Sequence, residues 1–334
     1  MAQMKQELQS VLRCSERFEK DRLQAFSEYV SRYDRVLIVY PSETWRRVAS
    51  MFKIVLQERK GIKQKIEIQL VERYMKRKDG SKDRLLLFFD WDMEYAYYPE
   101  LVEKIRTVQD HMLVMTLQEE QNARNMLMSG VDVFSLYQED VWNCIGEVES
   151  KKDLMDTYYV PAVCMQLCAS VLAGEQLLEY VTPKQFRGLE MKNMALSLRE
   201  IPSITVLYEE NTLPVVLELQ YRFSALPKVK VEKVHVNRAF WKEKKYREID
   251  RQSVCIYIAR DRKEEMQLPI IYRKQDLLDI TEMNFWNFMN TIEGPFLYMK
   301  LRGKSDIKSN MIGSMYSYFI FYKVLKYYAN PFSK

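Results

Sequence analysis

Hydrophobic and polar positions along the chain predict strands and helices in regular succession. Short apolar runs such as RLLLFF are typical of strands buried on both faces, and most are followed by residues with helical spacing. A leading helix is predicted over 6–33, and residues 72–83 are predicted to be a polar connection. The predicted strands of this half are 35–40, 65–71, 84–89, 111–116 and 131–137. Such alternation predicts a parallel sheet covered by helices on both faces.

The second half of the chain repeats the plan of the first. Residues 229–261 parallel residues 63–92: an alternating strand, a basic stretch, then a buried strand. A long helical stretch closes each half, over 152–180 and again near the end of the chain. We therefore predict an α/β protein of two doubly wound, parallel-sheet, Rossmann-like three-layer domains in tandem, residues 1–181 and 182–334.

Composition and charge narrow the classes of function. The 334 residues include 51 basic and 46 acidic residues, interspersed along most of the chain. The basic run near 229–247 is typical of solvated faces, so no nucleic-acid partner is expected. No apolar run is long enough to span a bilayer, and the first 20 residues lack the apolar core of a signal peptide. These features predict a cytoplasmic protein without a membrane partner.

Cysteine and glycine usage argues against metal and nucleotide sites. The five cysteines form no CxxC pair, and the chain has two histidines, so no metal site is expected. Nine glycines in 334 residues is few, and neither GxGxxG nor GxxxxGK[ST] occurs. A conventional dinucleotide or P-loop enzyme is thereby excluded, and no cofactor is expected.

The junction FDWDMEYAYYPE is the first candidate site. It follows the predicted strand 84–89, at the place where an α/β protein usually binds its ligand. The candidate ligand-binding residues there are Asp90, Trp91, Asp92 and Glu94. Carboxylates and aromatic rings at this place suit a cationic or hydroxylated ligand. Helix capping with aromatic packing is the alternative explanation.

The double plan resembles the sugar isomerase (SIS) family, whose two doubly wound domains bind a phosphosugar at their interface. The segment MTLQEEQNARNMLMSGVDVFSLY is similar to the family's strand that ends in threonine, which makes Thr116 a candidate ligand-binding residue. The segment VHVNRAFWKEKKYREIDRQSVCIYIA is similar in placement to the family's HAGExxHGP stretch. The resemblance lays His235 on the first histidine, Arg238 on the catalytic glutamate and Trp241 on the second histidine.

The chain departs from the family where the chemistry would be. Neither arginine nor tryptophan can exchange a proton near neutral pH. The family's SxSGxT-like phosphate loop is replaced by the acidic junction, which would repel a dianion. After the first predicted strand, Ser42 and Thr44 could bind a polar ligand or cap the following helix. The remaining catalytic candidates are Glu147, Glu149 and Lys151. They precede the long closing helix of the first half, where the family carries a functional Glu and Lys.

These observations leave three hypotheses. The first is a sugar- or phosphosugar-binding protein of SIS type with reduced or lost isomerase or deglycase activity. The second is a retained isomerase or deglycase. The third is a non-catalytic scaffold on the same fold, and the tyrosine-rich end of the chain suits either an oligomer contact or an ordinary core. A homodimer is expected.

Overall fold

The computed structural model describes two compact units, Met1–Val181 and Thr182–Lys334. The residues described are 20–58, 65–90, 93, 95–127, 131–137, 188–209, 211–260, 287–301 and 306–329. Among them, no helix combines the length and the apolar character needed to cross a membrane. Each unit is described by itself.

The first unit is built on a five-stranded parallel sheet. Its strands are β1 (Arg35–Tyr40), β2 (Lys65–Leu70), β3 (Arg84–Phe89), β4 (His111–Thr116) and β5 (Asp132–Ser135). Their spatial order is β2-β1-β3-β4-β5, with Tyr40 opposite Leu70 and Val39 opposite Phe88. Every residue of β3 is buried, because helices cover both faces of a central parallel strand.

Within the described part of this unit, five helices accompany the sheet. They are α1 (Lys20–Val30), α2 (Arg46–Glu58), α3 (Val71–Met75), α4 (Tyr98–Val108) and α5 (Glu120–Met126), and a 3₁₀ turn, Glu43–Trp45, leads into α2. Helix α4 shows why such segments are helical. Proline occupies its first turn, its buried side chains recur at helical spacing, and it ends at Gln109 in the left-handed conformation, φ 59°. Helix α3 takes up Val71, predicted as the end of the strand, and the first four residues of the predicted polar connection, where Tyr74 is buried, so the prediction was wrong there.

A buried ionic cluster fixes the amino edge of this sheet. The Arg84 guanidinium donates to both carboxylate oxygens of Asp110, from Nε at 2.9 Å and Nη2 at 2.7 Å. The Tyr74 hydroxyl donates to the same carboxylate at 2.8 Å, and burial and that carboxylate raise the pKa of Tyr74. A Cβ on the neighbouring Gly80 would lie 1.8 Å from the carbonyl oxygen of Val108, so only glycine fits there.

The second unit repeats the architecture with a four-stranded parallel sheet. Its strands are β6 (Ser203–Tyr208), β7 (Lys230–His235), β8 (Val254–Arg260) and β9 (Phe296–Leu301), in the order β7-β6-β8-β9. The first strand of each unit therefore lies between the second and the third. The predicted fold class, two doubly wound parallel-sheet domains in tandem, is confirmed.

Among the residues described for the second unit, four helices and a 3₁₀ turn accompany the sheet. They are α6 (Gly188–Glu200), α7 (Leu213–Phe223), α8 (Arg238–Lys242), the turn Lys245–Glu248, and α9 (Asp306–Ala329). Helix α9 is the tyrosine-rich segment, and it packs inside the unit against α6 and α7. A Cβ on Gly313 of α9 would lie 2.4 Å from Val215 of α7, which shows how closely the two helices approach.

Candidate functional site

The candidate site lies at the carboxyl edge of the first sheet. Strand β2 is the neighbour of β1 on one edge and β3 is its neighbour on the other. The direction in which successive strands are added therefore reverses between β1 and β3. A crevice forms outside the carboxyl ends of strands at such a reversal. The segments that border it follow β1, β2 and β3.

The segment after β3 is organised by a buried aspartate. Asp90 is 5% exposed, and its Oδ2 accepts a hydrogen bond from the backbone N–H of Tyr95 at 2.9 Å and from the hydroxyl of Tyr98 at 2.8 Å. Within the loop, Met93 takes a left-handed backbone conformation, φ 57°. Burial and the Asp90 carboxylate raise the pKa of Tyr98. Asp90 therefore holds its own loop against the start of α4.

An aromatic cluster extends from this loop toward solvent. The ring centroid of Tyr95 lies 5.1 Å from that of Phe88, 5.5 Å from that of Tyr98 and 5.9 Å from that of Tyr97. Phe88 and Tyr98 are buried, whereas Tyr97 is 62% exposed. Such a series of rings offers a rigid, partly apolar surface at the edge of the crevice.

The segment after β1 presents two hydroxyl groups. Ser42 stands at the N-cap position of the 3₁₀ turn, with φ −149° and ψ 161°, but its hydroxyl makes no capping hydrogen bond. Its carbonyl instead accepts from the N–H of Trp45 at 2.9 Å. Ser42 is exposed and Thr44 half-buried. The capping role considered for Ser42 is therefore filled by the backbone, and its side chain faces solvent.

Charged groups of both signs surround these segments. The Glu43 carboxylate lies 3.5 Å from the guanidinium of Arg46 and accepts at 3.5 Å from the Tyr40 hydroxyl. Burial and Glu43 raise the pKa of Tyr40, and Arg46 and Arg73 oppose that rise. On the other side of the crevice the pKa of Tyr95 is raised. Burial is the largest cause, followed by the charges of Glu100, Tyr97, Glu72 and Asp90. The segments after β1 and β2 therefore carry the guanidinium groups of Arg46 and Arg73 together with the carboxylates of Glu43 and Glu72, and the β3 side carries Asp90 and Glu100.

Thr116 lies at the end of β4, next to the Asp90 loop. It is fully buried, its Oγ1 accepts from the N–H of Gln118 at 3.2 Å, and its carbonyl accepts from the N–H of Leu136 at 2.7 Å. The backbone N–H of Asp90 donates to the carbonyl of the preceding residue, Met115, at 3.0 Å. The structure thus brings Ser42, Thr44, Asp90 and Thr116 to one edge of one sheet.

The candidates of the second unit lie along the carboxyl end of β7 and helix α8. His235 is exposed, with its ring centroid 5.3 Å from that of Tyr208, and Arg238 begins α8. Trp241 is 2% exposed in a core cluster with Tyr257 and Phe288. Near this cluster the Tyr257 hydroxyl donates to Glu209 at 2.9 Å.

Six nominated residues lie outside the described part of the chain: Trp91, Asp92, Glu94, Glu147, Glu149 and Lys151. Sequence reasoning did not nominate Tyr40, Arg46, Glu72 or Arg73. The available signal was their place at or within six residues of the carboxyl ends of β1 and β2, because the ends of parallel strands meet at one edge. Within the described ranges, no group of three or more His, Cys, Asp and Glu is arranged to hold a metal ion.

Comparisons with known proteins identify the fold. No protein-family model matches the chain, and no curated protein matches its sequence. The C-terminal domain of glucosamine-fructose-6-phosphate aminotransferase from Francisella tularensis superimposes with a TM-score of 0.61 at 11% identity, covering 98% of this chain and 95% of that one.

Two further solved structures match over nearly the full length. Tagatose-6-phosphate ketose/aldose isomerase from Escherichia coli has a TM-score of 0.53 at 13% identity, with 97% of this chain and 92% of that chain covered. Glucosamine-6-phosphate deaminase from Thermotoga maritima has a TM-score of 0.52 at 10% identity, with 96% and 94% covered. The chain therefore has the tandem α/β fold of these sugar-phosphate proteins. The predicted resemblance to the SIS family is confirmed at the level of the fold.

Proposed function

We propose that this protein binds a carbohydrate derivative at the carboxyl edge of its first sheet, with reduced or lost isomerase or deglycase activity. The observation that carries the proposal is the exposed ring of Tyr97, which continues a packed aromatic cluster at the strand reversal. Sugars bind proteins through such faces together with hydroxyl and carboxylate hydrogen bonds. Ser42, Thr44 and Glu100 border the same edge.

Asp90 serves this site in our proposal by shaping it. Its carboxylate is directed to Tyr95 and Tyr98 of its own loop, which fixes the aromatic cluster before a ligand arrives. A binding surface that is already ordered loses less entropy when the ligand binds. Trp91, Asp92 and Glu94 remain proposed ligand contacts of the same loop, and Thr116 supports the neighbouring turn.

The reduced activity is inferred from the second unit. Arg238 and Trp241 occupy the positions that the SIS resemblance assigns to a catalytic glutamate and a histidine. Trp241 is packed into the core, where its indole is remote from solvent and has no proton to exchange near neutral pH. His235 is exposed and could contact a ligand, as could Arg238. Any remaining catalysis would fall to Glu147, Glu149 or Lys151.

Thermal unfolding of the full chain against a sugar panel tests the proposal. The panel contains glucosamine, N-acetylglucosamine, fructose, their 6-phosphates and a glycated lysine. A binder raises the melting temperature in proportion to the logarithm of its concentration above Kd. Tyr97→Ala should abolish the shift and Tyr97→Phe should keep it, because the ring supplies the contact. Met126→Ala removes another exposed apolar side chain of the same unit, 59% exposed, and serves as the control.

Two results would contradict the proposal. One is the absence of a shift with every sugar in the panel. The other is a shift that persists in Tyr97→Ala and therefore arises elsewhere. An isomerase assay on any sugar that binds then tests the loss of activity, and turnover comparable to that of active isomerases would contradict that part alone.

A scaffold role on the same fold is the alternative. Leu196 of α6 and Tyr322 of α9 are 41% and 40% exposed, on two helices that pack together, and they favour self-association. We propose a homodimer on this basis. Light scattering coupled to size-exclusion chromatography measures the mass directly, and a mass of one chain at micromolar concentration would contradict the dimer.

A further inference from the structure

The arginines after β1 and β2 stand out because the nearby acidic loop would repel an anion. Arg46 lies in the first turn of α2, six residues beyond the end of β1. Arg73 lies in α3, three residues beyond the end of β2. Tyr40 and Leu70, the last residues of the two strands, are directly opposite each other, and α3 lies against β1. The fold therefore brings both arginines to the same side of the crevice.

Neither guanidinium has a strong ion-pair partner within the described ranges. Arg73 is exposed, and no hydrogen bond or ion pair involves its side chain there. Arg46 has 37% of its side chain exposed and contacts the Glu43 carboxylate at 3.5 Å, longer than a good charge-assisted hydrogen bond. By contrast, Arg84 and Arg77 each have a carboxylate oxygen within 2.8 Å. Arg46 and Arg73 thus retain donors for a ligand.

Uncharged donors lie beside them. The hydroxyl of Ser42 is exposed and makes no capping bond. The hydroxyl of Tyr40 interacts electrostatically with both arginines, and its one hydrogen bond within the described ranges is the 3.5 Å contact to Glu43. Planar guanidinium groups bind phosphate and carboxylate oxygens in pairs, and hydroxyls complete such sites.

We infer that Arg46 and Arg73, with the hydroxyls of Tyr40 and Ser42, form an anion subsite for a phosphate or carboxylate group of the ligand. The subsite rests on the proposed function, since it would hold the anionic end of a carbohydrate derivative whose ring packs on Tyr97. It lies on the β1 side of the crevice, away from the Asp90 loop. The ligand would then span the crevice from the guanidinium groups to the aromatic cluster.

The Glu43 carboxylate is the internal competitor of such an anion. It touches Arg46 and the Tyr40 hydroxyl, the two groups that an incoming anion would contact first. Binding would require Glu43, whose side chain is 59% exposed, to turn away into solvent. Two opposite effects are therefore expected. Removal of an arginine should weaken anion binding, and removal of the Glu43 charge should strengthen it.

Calorimetric titration of the full chain tests both at low ionic strength, where exposed charges are least screened. The probes are inorganic phosphate, glucose, glucose 6-phosphate and glucuronate, which share a ring or an anion. Arg73→Gln and Arg46→Gln should each weaken glucose 6-phosphate binding by about tenfold and leave glucose unchanged, as expected for a lost charge-assisted hydrogen bond. Glu43→Gln should tighten it. A comparison of the affinities for glucuronate and glucose 6-phosphate shows whether the subsite prefers a carboxylate or a phosphate.

Arg35→Gln is the matched control. Arg35 is an exposed arginine at the opposite end of β1, about 17 Å from Tyr40 by the rise of a strand, and carries the same charge. It should bind all four probes as the unmodified chain does. Equal weakening in Arg35→Gln would show general charge attraction and overturn the subsite, as would anion binding that is unaffected by Arg46→Gln and Arg73→Gln.

The subsite and the proposed function can fail separately. Glucose binding with no dependence of glucose 6-phosphate on either arginine overturns the subsite and keeps the sugar site. Inorganic phosphate binding that requires Arg73, without any sugar binding, keeps the subsite and overturns the sugar site. Absence of binding of inorganic phosphate, glucose 6-phosphate and glucuronate alike at millimolar concentration overturns the subsite.

Discussion

Asp90 organises the candidate site through two hydrogen bonds made inside its own loop. One bond fixes the backbone of Tyr95 and the other the buried hydroxyl of Tyr98. Sequence reasoning nominated Asp90 because a carboxylate follows a buried strand. It could not show that the side chain turns inward, since that depends on where α4 begins. Arg46 and Arg73 were not nominated for a related reason: their proximity follows from β2 pairing with β1, which hydrophobic patterning does not specify.

Removal of the Asp90 carboxylate should destabilise the first unit. In Asp90→Ala the Tyr98 hydroxyl stays buried without this acceptor, which costs about 1–3 kcal/mol in the free energy of unfolding. Tyr98→Phe removes the donor as well, so the double variant should be less destabilised than the sum of the single ones, with a coupling of about 0.5–3 kcal/mol. Urea unfolding of the four chains measures the cycle. Strict additivity would show that the bond contributes nothing.

At the scale of elements, apolar patterning predicted most strands and helices because each buries a face that the pattern records. Strand β3 shows this, with six buried residues in a row. Helix α3 was missed because its five residues, VERYM, bury two side chains, and a single turn leaves too little periodicity. The approach of α9 to α7 was likewise invisible, because it depends on a glycine that faces one valine.

Gly313→Ala tests that approach. Alanine is the better helix former by about 1 kcal/mol, so propensity alone predicts stabilisation. The Cβ would lie 2.4 Å from Val215, however, and overpacking in a dense core costs about 1–3 kcal/mol. We expect a lower melting temperature, measured by circular dichroism. Val215→Ala opens the contact, so adding it to Gly313→Ala should cost less than Val215→Ala costs alone. A higher melting temperature for Gly313→Ala would contradict the tight contact.

The buried ionic cluster of the amino edge makes a second prediction for elements. Asp110→Ala leaves the Arg84 guanidinium buried without this carboxylate, a change that costs about 3–5 kcal/mol. Asp79→Ala removes a second carboxylate that contacts Arg84 at 3.2 Å but is 62% exposed, and should cost far less. Denaturant unfolding compares the two variants. Similar losses would show that burial of the pair does not matter.

The whole molecule consists of two units that share one strand order, with the first strand inside each sheet and the second at its edge. Repetition of the hydrophobic pattern predicted two copies of one doubly wound domain, because each copy has to bury its own core, whereas the strand order is visible only in the structure. The edge strands differ from the central ones in both units. Strand β2 has one buried residue and β7 has none, whereas β1 and β3 are almost entirely buried.

Hydrogen exchange should reveal this order in the intact chain. Amides of β1, β3, β6 and β8 should exchange slowest, since they are paired on both sides and covered on both faces. Amides of β2 and β7 should exchange faster, because edge strands open without disturbing the rest of the sheet. Mass spectrometry of peptic fragments measures the rates. Equal protection of β2 and β3, or of β7 and β8, would contradict the difference.

Gly80 lies far from the candidate site but is linked to it through helix α4. It packs beneath Val108, at one end of α4, while Tyr98 at the other end holds the Asp90 loop. The helix has 11 residues and is about 16 Å long. A side chain at position 80 would push against Val108 and should tilt α4, which would displace the aromatic cluster at the other end of the helix. Random mutagenesis scored only by ligand binding should therefore recover substitutions at a glycine that no ligand could reach.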